Sequence, residues 1–261
     1  MAKKARADQI LVERGLAGDL EQARRLVMAG KVFWNDQVVV QASQPIKTTD
    51  QLRVISSPPF VSRGGEKLQG ALERFSLSID QRICADIGAS TGGFTDCLLQ
   101  HGAGKVYAID VGYGLLDWRL RNNPRVIVLE RTNARSLTSL PDKIDLFTAD
   151  VSFISLKKIL PAAAQLFGPG GGEALILIKP QFEATRQEAA RGSGVIKDPE
   201  IHQRVIKEIL EFAGENNFQI KGLMPSPLLG PDGNCEFFAW LGYPSSSDQT
   251  QKIQNLITGT F

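Results

Sequence analysis

Four charged residues stand in apolar or glycine-bounded surroundings, where a solvated surface charge is not expected: Lys67, Asp150, Lys179 and Glu236. Asp150 and Lys179 each end an apolar, strand-like run, and ligands in open α/β sheets bind outside the carboxyl ends of the strands. Lys67 begins an amphipathic helical stretch, and Glu236 lies within an apolar strand-like run. A structural ion pair explains any one such charge well. Lysines and carboxylates gathered in one cleft would instead carry out proton transfer.

A glycine-rich segment joins a strand-like run to a helix-like run, and it reads Asp86-Ile87-Gly88-Ala89-Ser90-Thr91-Gly92-Gly93-Phe94. A dinucleotide site would set glycines in the order GxGxxG against a pyrophosphate, which the carboxylate of Asp86 would repel. Asp86 instead suits a ligand that carries a positive ammonium and sulfonium. The segment resembles the first motif of the class I methyltransferases, which implies that it binds S-adenosylmethionine. A glycine turn without a ligand is the alternative.

Two further polar residues follow the next strand-like runs. Asp110 ends the run 105–109, where an acid can accept hydrogen bonds from a ribose diol. Asn133 follows the run 126–129, and the resemblance implies a polar side chain against the adenine there, although a simple turn explains it nearly as well. The glycine-rich run 168–172 lacks the Lys-Ser/Thr of a phosphate loop and is interpreted as a turn into a strand.

Short runs rich in Val, Ile and Leu alternate with amphipathic stretches from residue 60 onward. The strand-like runs are 82–87, 105–109, 126–129, 144–149 and 174–178, and the helix-like stretches include 94–101, 155–167 and 201–213. This alternation predicts an α/β fold with a doubly wound, mainly parallel sheet. The run 235–241 follows a Pro/Gly-rich stretch and is expected to join the sheet as an antiparallel strand.

A break at Ser56-Ser57-Pro58-Pro59 predicts two domains, residues 1–59 and 60–261. The first is expected to form two short helices, a hairpin around Asn35-Asp36 and a closing strand at 51–55. This order resembles the S-four RNA-binding domain, a small α+β fold, and implies RNA contacts from Lys3, Lys4, Arg6, Arg24, Arg25 and Lys31. The chain departs from that family at Asp19-Leu20-Glu21, where a Ser-Arg pair usually opens the second helix, so one phosphate contact is missing. A protein-docking domain with a solvated basic face is the alternative.

Charge and composition limit the function classes. Residues 1–60 hold nine Lys and Arg against six Asp and Glu, and this excess indicates an anionic partner or simply a solvated tail. No run approaches a membrane span, and the start lacks the apolar core of an export signal. The three cysteines and two histidines are dispersed, so neither a metal site nor disulfides are expected, and a cytoplasmic location fits.

The order Lys67, Asp150, Lys179, Glu236 matches the Lys-Asp-Lys-Glu tetrad of the FtsJ-type ribose 2′-O-methyltransferases. The chain also resembles the TlyA family, also called hemolysin A, in the segments VSRGGEKL, DIGASTGGFTD, AIDVGYGLLDWRLR, ADVSFISL, LIKPQFE and GNCEFF. The resemblance covers nearly the whole chain and implies methylation of cytidine 2′-hydroxyls in ribosomal RNA. It also implies that residues 88–94 hold the cofactor.

These residue types suit methyl transfer to a ribose hydroxyl, which is a poor nucleophile and a very weak acid. A lysine acts as base only if it loses its proton near neutral pH, which a second lysine nearby and partial burial favour. We expect Lys179 to take or stabilise the hydroxyl proton, Asp150 to orient Lys179, and Lys67, fixed by Glu236, to hold the ribose or phosphate. Arg63, beside Lys67, is a further RNA-binding candidate.

Other functions remain to be weighed. The polar segment 183–197 is expected to be a mobile loop whose Arg186, Arg191 and Lys197 either close over RNA or are solvated. Methylation of another RNA and a non-catalytic RNA- or ribosome-binding factor are the nearest alternatives. A pore-forming role, which the older family name suggests, conflicts with the absence of a spanning run and with the complete cofactor loop.

Overall fold

The computed structural model describes residues 4–55, 58–245 and 247–261, and the chain divides between Pro58 and Pro59 into two compact units. The first unit contains, in chain order, β1 Lys4–Arg6, α1 Ala7–Glu13, α2 Leu20–Met28, β2 Val32–Trp34, β3 Gln37–Val38, β4 Pro45–Lys47 and β5 Leu52–Val54. Strand β2 pairs with β3 and β5, while β1 pairs separately with β4. The two helices, the hairpin and the closing strand are present as predicted. Strands β1 and β4 were not predicted; they pair with each other, Lys4 opposite Lys47, and a pairing between such distant segments leaves no local pattern.

The second helix shows how the sequence departure from the S-four pattern is accommodated. Asp19 is the N-cap of α2, and its side chain accepts a hydrogen bond from the Gln22 N–H. Ala23 and Val27 lie on the buried face of α2 against Ile10 and Leu11 of α1. Asp19 therefore serves the fold of this unit by starting the helix.

The second unit contains α3 Arg63–Phe75, β6 Ile83–Ile87, α4 Gly93–Gln100, β7 Lys105–Ile109, α5 Trp118–Arg121, β8 Val126–Leu129, β9 Leu146–Ala149, α6 Leu160–Ala164, β10 Gly172–Ile178, α7 Pro180–Glu183, α8 Arg186–Arg191, α9 Pro199–Glu215, β11 Gln219–Pro225, β12 Phe237–Tyr243 and α10 Thr250–Thr260. Seven strands form one sheet in the order β11-β12-β10-β9-β6-β7-β8. Strands β6 to β10 pair in parallel, and β12 is antiparallel to β10 and β11. The predicted α/β fold with a mainly parallel sheet is confirmed.

Side chains of the parallel strands alternate between two apolar layers. In β6, Cys84 packs into the layer that contains Leu68 and Leu98, while Ala85 and Ile87 pack into the opposite layer. Helices cover both faces, which explains why these strands read as continuous apolar runs. The order reverses at β6, which pairs with β7 on one side and with β9 on the other, so a crevice opens at its carboxyl end.

Three details differ from the sequence-based expectation. Strand β12 begins at Phe237, so Glu236 precedes the strand instead of lying inside it. Strand β11 and helix α10 were not predicted. The segment 183–197 contains helix α8, which begins with a capping box between Thr185 and Glu188, and Arg204 of α9 donates to both oxygens of Glu188 at 2.7 Å.

Candidate active site

The glycine-rich loop leaves β6 and packs closely against its surroundings. Gly88 has φ +84°, and a Cβ there would lie 2.4 Å from the Asp150 carbonyl oxygen. A Cβ on Gly93 would lie 2.3 Å from Ser62 Oγ at the start of α3. Only glycine fits at these two positions, because any side chain would collide with the neighbouring turn. The loop is thereby fixed between the elements that carry Asp150 and Lys67.

Asp86 lies beneath this loop and is fully buried. Its two oxygens accept hydrogen bonds from Thr95 Oγ1 at 2.7 Å and from Thr148 Oγ1 at 3.2 Å. Burial raises the pKa of Asp86 to about 7, the threonine hydroxyls oppose that rise, and the nearby Asp150 charge adds to it. The sequence suggested that Asp86 faces a cationic ligand, but the structure assigns it to fixing β6, α4 and β9 to one another.

Asp110 follows β7 and connects two loops of the site. Its Oδ2 accepts from the Ser90 N–H at 2.8 Å, and its Oδ1 accepts from the Gly112 N–H at 2.7 Å. Each carboxylate oxygen has a second acceptor position, so the group remains able to accept hydrogen bonds from a diol. Asn133 caps a short 3₁₀ turn through its side chain, which accepts from the Arg135 N–H at 3.1 Å.

Lys67, Asp150, Lys179 and Glu236 form two ion pairs. Lys179 Nζ lies 2.5 Å from Asp150 Oδ1, and Lys67 Nζ lies 2.6 Å from Glu236 Oε2. Both lysines and Glu236 are at least nine-tenths buried, whereas the Asp150 side chain is 22% exposed. Each lysine therefore lies against a carboxylate of a different chain segment.

Two residues of this cluster were missed in the sequence. Ser152 Oγ accepts a hydrogen bond from Lys179 Nζ at 3.2 Å, and Gln181 Nε2 donates to Glu236 Oε1 at 3.2 Å. Each is a polar residue two positions after a predicted catalytic residue, and this spacing is the sequence feature from which it could have been predicted. Asn234, two positions before Glu236, is buried and connects to the segment 194–196. Its side chain donates to the Gly194 carbonyl and accepts from the Ile196 N–H.

Two neighbouring cavities open at the carboxyl end of β6. The larger, of about 540 Å³, contains both lysines and Asp150, together with the loop residues Gly88, Ala89, Ser90, Thr91, Gly93 and Phe94. The smaller, of about 350 Å³, is lined by Gly88, Ser90, Asp110, Asn133, Asp150 and apolar side chains that include Val111, Leu115 and Ile154. The cavities share Gly88, Ser90, Asp150 and Ser152. Asp86 and Gly92, also predicted to bind the cofactor, line neither; Gly92, at φ +95°, turns the loop against Leu116 and Leu120.

The RNA-binding candidates occupy different places. Arg63 is exposed, lines the larger cavity and donates to the Leu229 carbonyl. In the first unit, Arg6 and Arg24 pair with Asp8, and Arg25 pairs with Glu21. The other candidates there are Lys4, which is exposed, Lys31, which follows α2, and Lys3, which lies outside the described residues.

The chain is similar to known proteins both in sequence and in structure. The FtsJ-like methyltransferase family matches residues 60–243, and the S4 domain matches residues 5–52. A Mycobacterium tuberculosis protein named 16S/23S rRNA (cytidine-2′-O)-methyltransferase TlyA is 47% identical over 247 residues, covering 92% of this chain and 91% of the relative. Hemolysin A of Brachyspira hyodysenteriae is 39% identical, covering 90% of this chain and 98% of the relative. A solved Streptococcus thermophilus structure that carries the name hemolysin is 39% identical, with a TM-score of 0.72, and covers 99% of this chain and 96% of that one.

The sheet order, the glycine-rich loop and the acid at the end of β7 define a methyltransferase of the Rossmann-like class. The chain belongs to the FtsJ-like methyltransferase family and carries an S4 domain at its N-terminal side. Its sequence is that of a relative of the TlyA rRNA methyltransferases and of hemolysin A. Among the helices of the described residues, none has both the length and the apolar content to cross a bilayer.

Proposed function

We propose that this chain transfers the methyl group of S-adenosylmethionine to a ribose 2′-hydroxyl in ribosomal RNA, with cytidine as the modified nucleoside. The observation that carries the proposal is that Lys67, Lys179 and Asp150 line one cavity together with the glycine-rich loop, while Glu236 pairs with Lys67. The ribosomal substrate and the cytidine are those in the name of the M. tuberculosis relative. The division into an RNA-binding domain, residues 1–59, and a methyltransferase domain, residues 60–261, is part of the proposal.

The residues at the two cavities fit S-adenosylmethionine. The smaller cavity offers apolar side chains for an adenine ring beside Asn133, and Asp110 retains acceptor positions for a ribose diol. Asp150 is shared by both cavities, so its carboxylate is available to the cationic end of the ligand. When bound, this cofactor supplies a methyl group on a positively charged sulfur. The space between the adenosine end and the methionine end of the cofactor would be lined by the loop residues Gly88, Ala89, Ser90, Thr91, Gly93 and Phe94.

The tetrad would act on the nucleophile. Lys179 Nζ, held by Asp150 and Ser152, would orient the ribose hydroxyl. Once its ammonium has released a proton to solvent, the neutral amine would accept the hydroxyl proton as the oxygen attacks. Lys67, held by Glu236, would bind the ribose or its phosphate, and Gln181 would keep the Glu236 carboxylate in place. Fixing the hydroxyl in line with the methyl group supplies a large part of the rate, because it removes the entropic cost of the encounter.

The proposal is tested with tritiated S-adenosylmethionine, the purified chain and unmodified ribosomal RNA or subunits, followed by mass spectrometry of the nucleosides. Transfer to a 2′-O-methylated cytidine is expected, and Lys179→Ala should abolish it while cofactor binding persists. Lys158→Ala is the matched control, because Lys158 is an exposed lysine of the same unit that lines neither cavity.

Two results would contradict the proposal. A folded Lys179→Ala chain that binds cofactor and methylates at the normal rate would remove Lys179 from the mechanism. Cofactor binding without transfer to any ribosomal RNA would favour another RNA substrate or a non-catalytic role in RNA or ribosome binding.

A further inference from the structure

A buried carboxylate lies in the first turn of α1 in the first unit. Asp8 is fully buried, and its oxygens accept from Arg6 Nε at 3.0 Å, Arg6 Nη2 at 2.7 Å, Arg24 Nε at 3.3 Å and the Gln9 N–H at 2.9 Å. The Arg6 hydrogen bonds hold the pKa of Asp8 below its usual range, against the effect of burial. Asp8 is therefore an ionised carboxylate that accepts three hydrogen bonds from two arginines and one from the Gln9 N–H.

The two arginines come from separate elements and remain accessible. Arg6 ends β1 and Arg24 lies on α2, and their side chains are 45% and 55% exposed. A guanidinium has five N–H donors, of which Arg6 gives two to Asp8 and Arg24 gives one. Among the residues that the structure describes, three donors on Arg6 and four on Arg24 are left for another acceptor. One carboxylate thus holds two guanidinium groups, and most of their N–H donors make no hydrogen bond within the described residues.

We propose that Asp8 is a positioning residue that assembles Arg6 and Arg24 into a clamp for a phosphate of the RNA backbone. The inference rests on the proposed function, in which the first unit binds RNA. Two positive charges against one negative charge leave a net positive site, and the planar guanidinium donors match phosphate oxygens. Because Asp8 already orders both long side chains, they lose less conformational freedom when RNA binds.

A clamp and a simple charge effect predict opposite changes in RNA affinity for Asp8→Asn. If Asp8 only neutralised its neighbours, Asp8→Asn would add one positive charge to the RNA-binding face and strengthen binding. If Asp8 assembles the clamp, the same nearly isosteric change releases both arginines and weakens binding. We expect affinity for RNA to fall roughly fivefold to tenfold, the cost of ordering one or two rotamer-rich side chains.

The experiment measures binding of the full chain to unmodified small- and large-subunit ribosomal RNA transcripts by fluorescence anisotropy at constant salt. Asp36→Asn is the matched control, since Asp36 is an exposed carboxylate of the same unit whose positive φ an asparagine tolerates. The control should bind as tightly as the wild type or slightly more tightly. In an Arg6→Ala, Arg24→Ala background, Asp8→Asn should cause no further loss.

A second set of variants decides the matter if Asp8→Asn fails to fold. If the two arginines bind one phosphate together, removing either one loses most of the binding energy of the pair. The loss of RNA affinity in the double variant Arg6→Ala, Arg24→Ala should therefore be clearly less than the sum of the two single losses. Additive losses would overturn the clamp, as would an Asp8→Asn chain that binds RNA as well as the wild type. A wild-type chain that binds no RNA would overturn the clamp together with the RNA-binding role of the first unit. Because affinity is the readout, these results are independent of whether methyl transfer occurs.

Discussion

The Lys67–Glu236 ion pair joins α3 to the residue before β12, and its removal has a calculable cost. The side chains are 9% and 0% exposed, and the two charged atoms lie 2.6 Å apart. Glu236→Gln keeps the shape of the side chain but leaves the Lys67 ammonium buried beside a neutral amide. Breaking a buried pair from one side costs about 3–5 kcal/mol. We therefore expect Glu236→Gln to lower the free energy of unfolding of the second unit by about 3 kcal/mol.

Removing both charges separates this electrostatic cost from lost packing. In Lys67→Met, Glu236→Gln no unpaired charge remains, so most of the lost stability should return. Methyl transfer should remain absent from both variants, because neither retains the charged pair that is proposed to hold the ribose or phosphate. Urea unfolding followed by circular dichroism is the appropriate assay, because urea carries no charge and does not screen the pair.

An exposed pair of the same chemistry provides the control. Lys207 and Glu211 lie 3.8 Å apart on α9 with side chains about half exposed, so Glu211→Gln should cost no more than about 0.5 kcal/mol. If Glu236→Gln costs no more than Glu211→Gln, then Lys67 is not held as a buried ammonium by Glu236. If the double variant is as unstable as the single one, the loss comes from packing and the electrostatic account is wrong.

Two further predictions concern the loop and the carboxylate beneath it. Gly88→Ala should lower the free energy of unfolding by about 1–3 kcal/mol and weaken cofactor binding measured by calorimetry, because its Cβ meets the Asp150 carbonyl. Gly114→Ala is the control, since Gly114 has φ +72° with open space around it, and it should leave cofactor binding unchanged. Equal losses of cofactor binding in both variants would refute the steric argument. Burial raises the pKa of Asp86 from 3.8 to about 7, so the folded chain binds the proton more tightly than the unfolded chain, and this group's contribution to stability falls as pH rises between those values. Asp86→Asn should remove that fall, so its unfolding free energy relative to the wild type should increase from pH 4 to pH 7 in urea titrations. A difference that is constant with pH would contradict the raised pKa.

Local sequence patterns predicted the parallel strands of the second unit and the glycine-rich loop. The apolar runs predicted strands β6 to β10 because both faces of a parallel sheet are buried, and the acidic ends of those strands pointed to the crevice. The glycine-rich segment was recognisable because glycine spacing reflects a backbone requirement at neighbouring positions. Strand β11 and helix α10 were not predicted, although Ile253, Leu256 and Ile257 of α10 follow a helical spacing.

The partners of the charged groups were decided by tertiary structure. Lys67 and Glu236 are 169 positions apart in the sequence, and only the placement of β12 beside β10 brings Glu236 to α3. Asp86 appeared to face a ligand, yet the packing of Thr95 and Thr148 encloses it beneath the loop. The types of the proposed catalytic residues follow from the sequence by itself, because residue type and spacing are local. Their pairing and burial depend on contacts between distant segments, which form only when the chain folds.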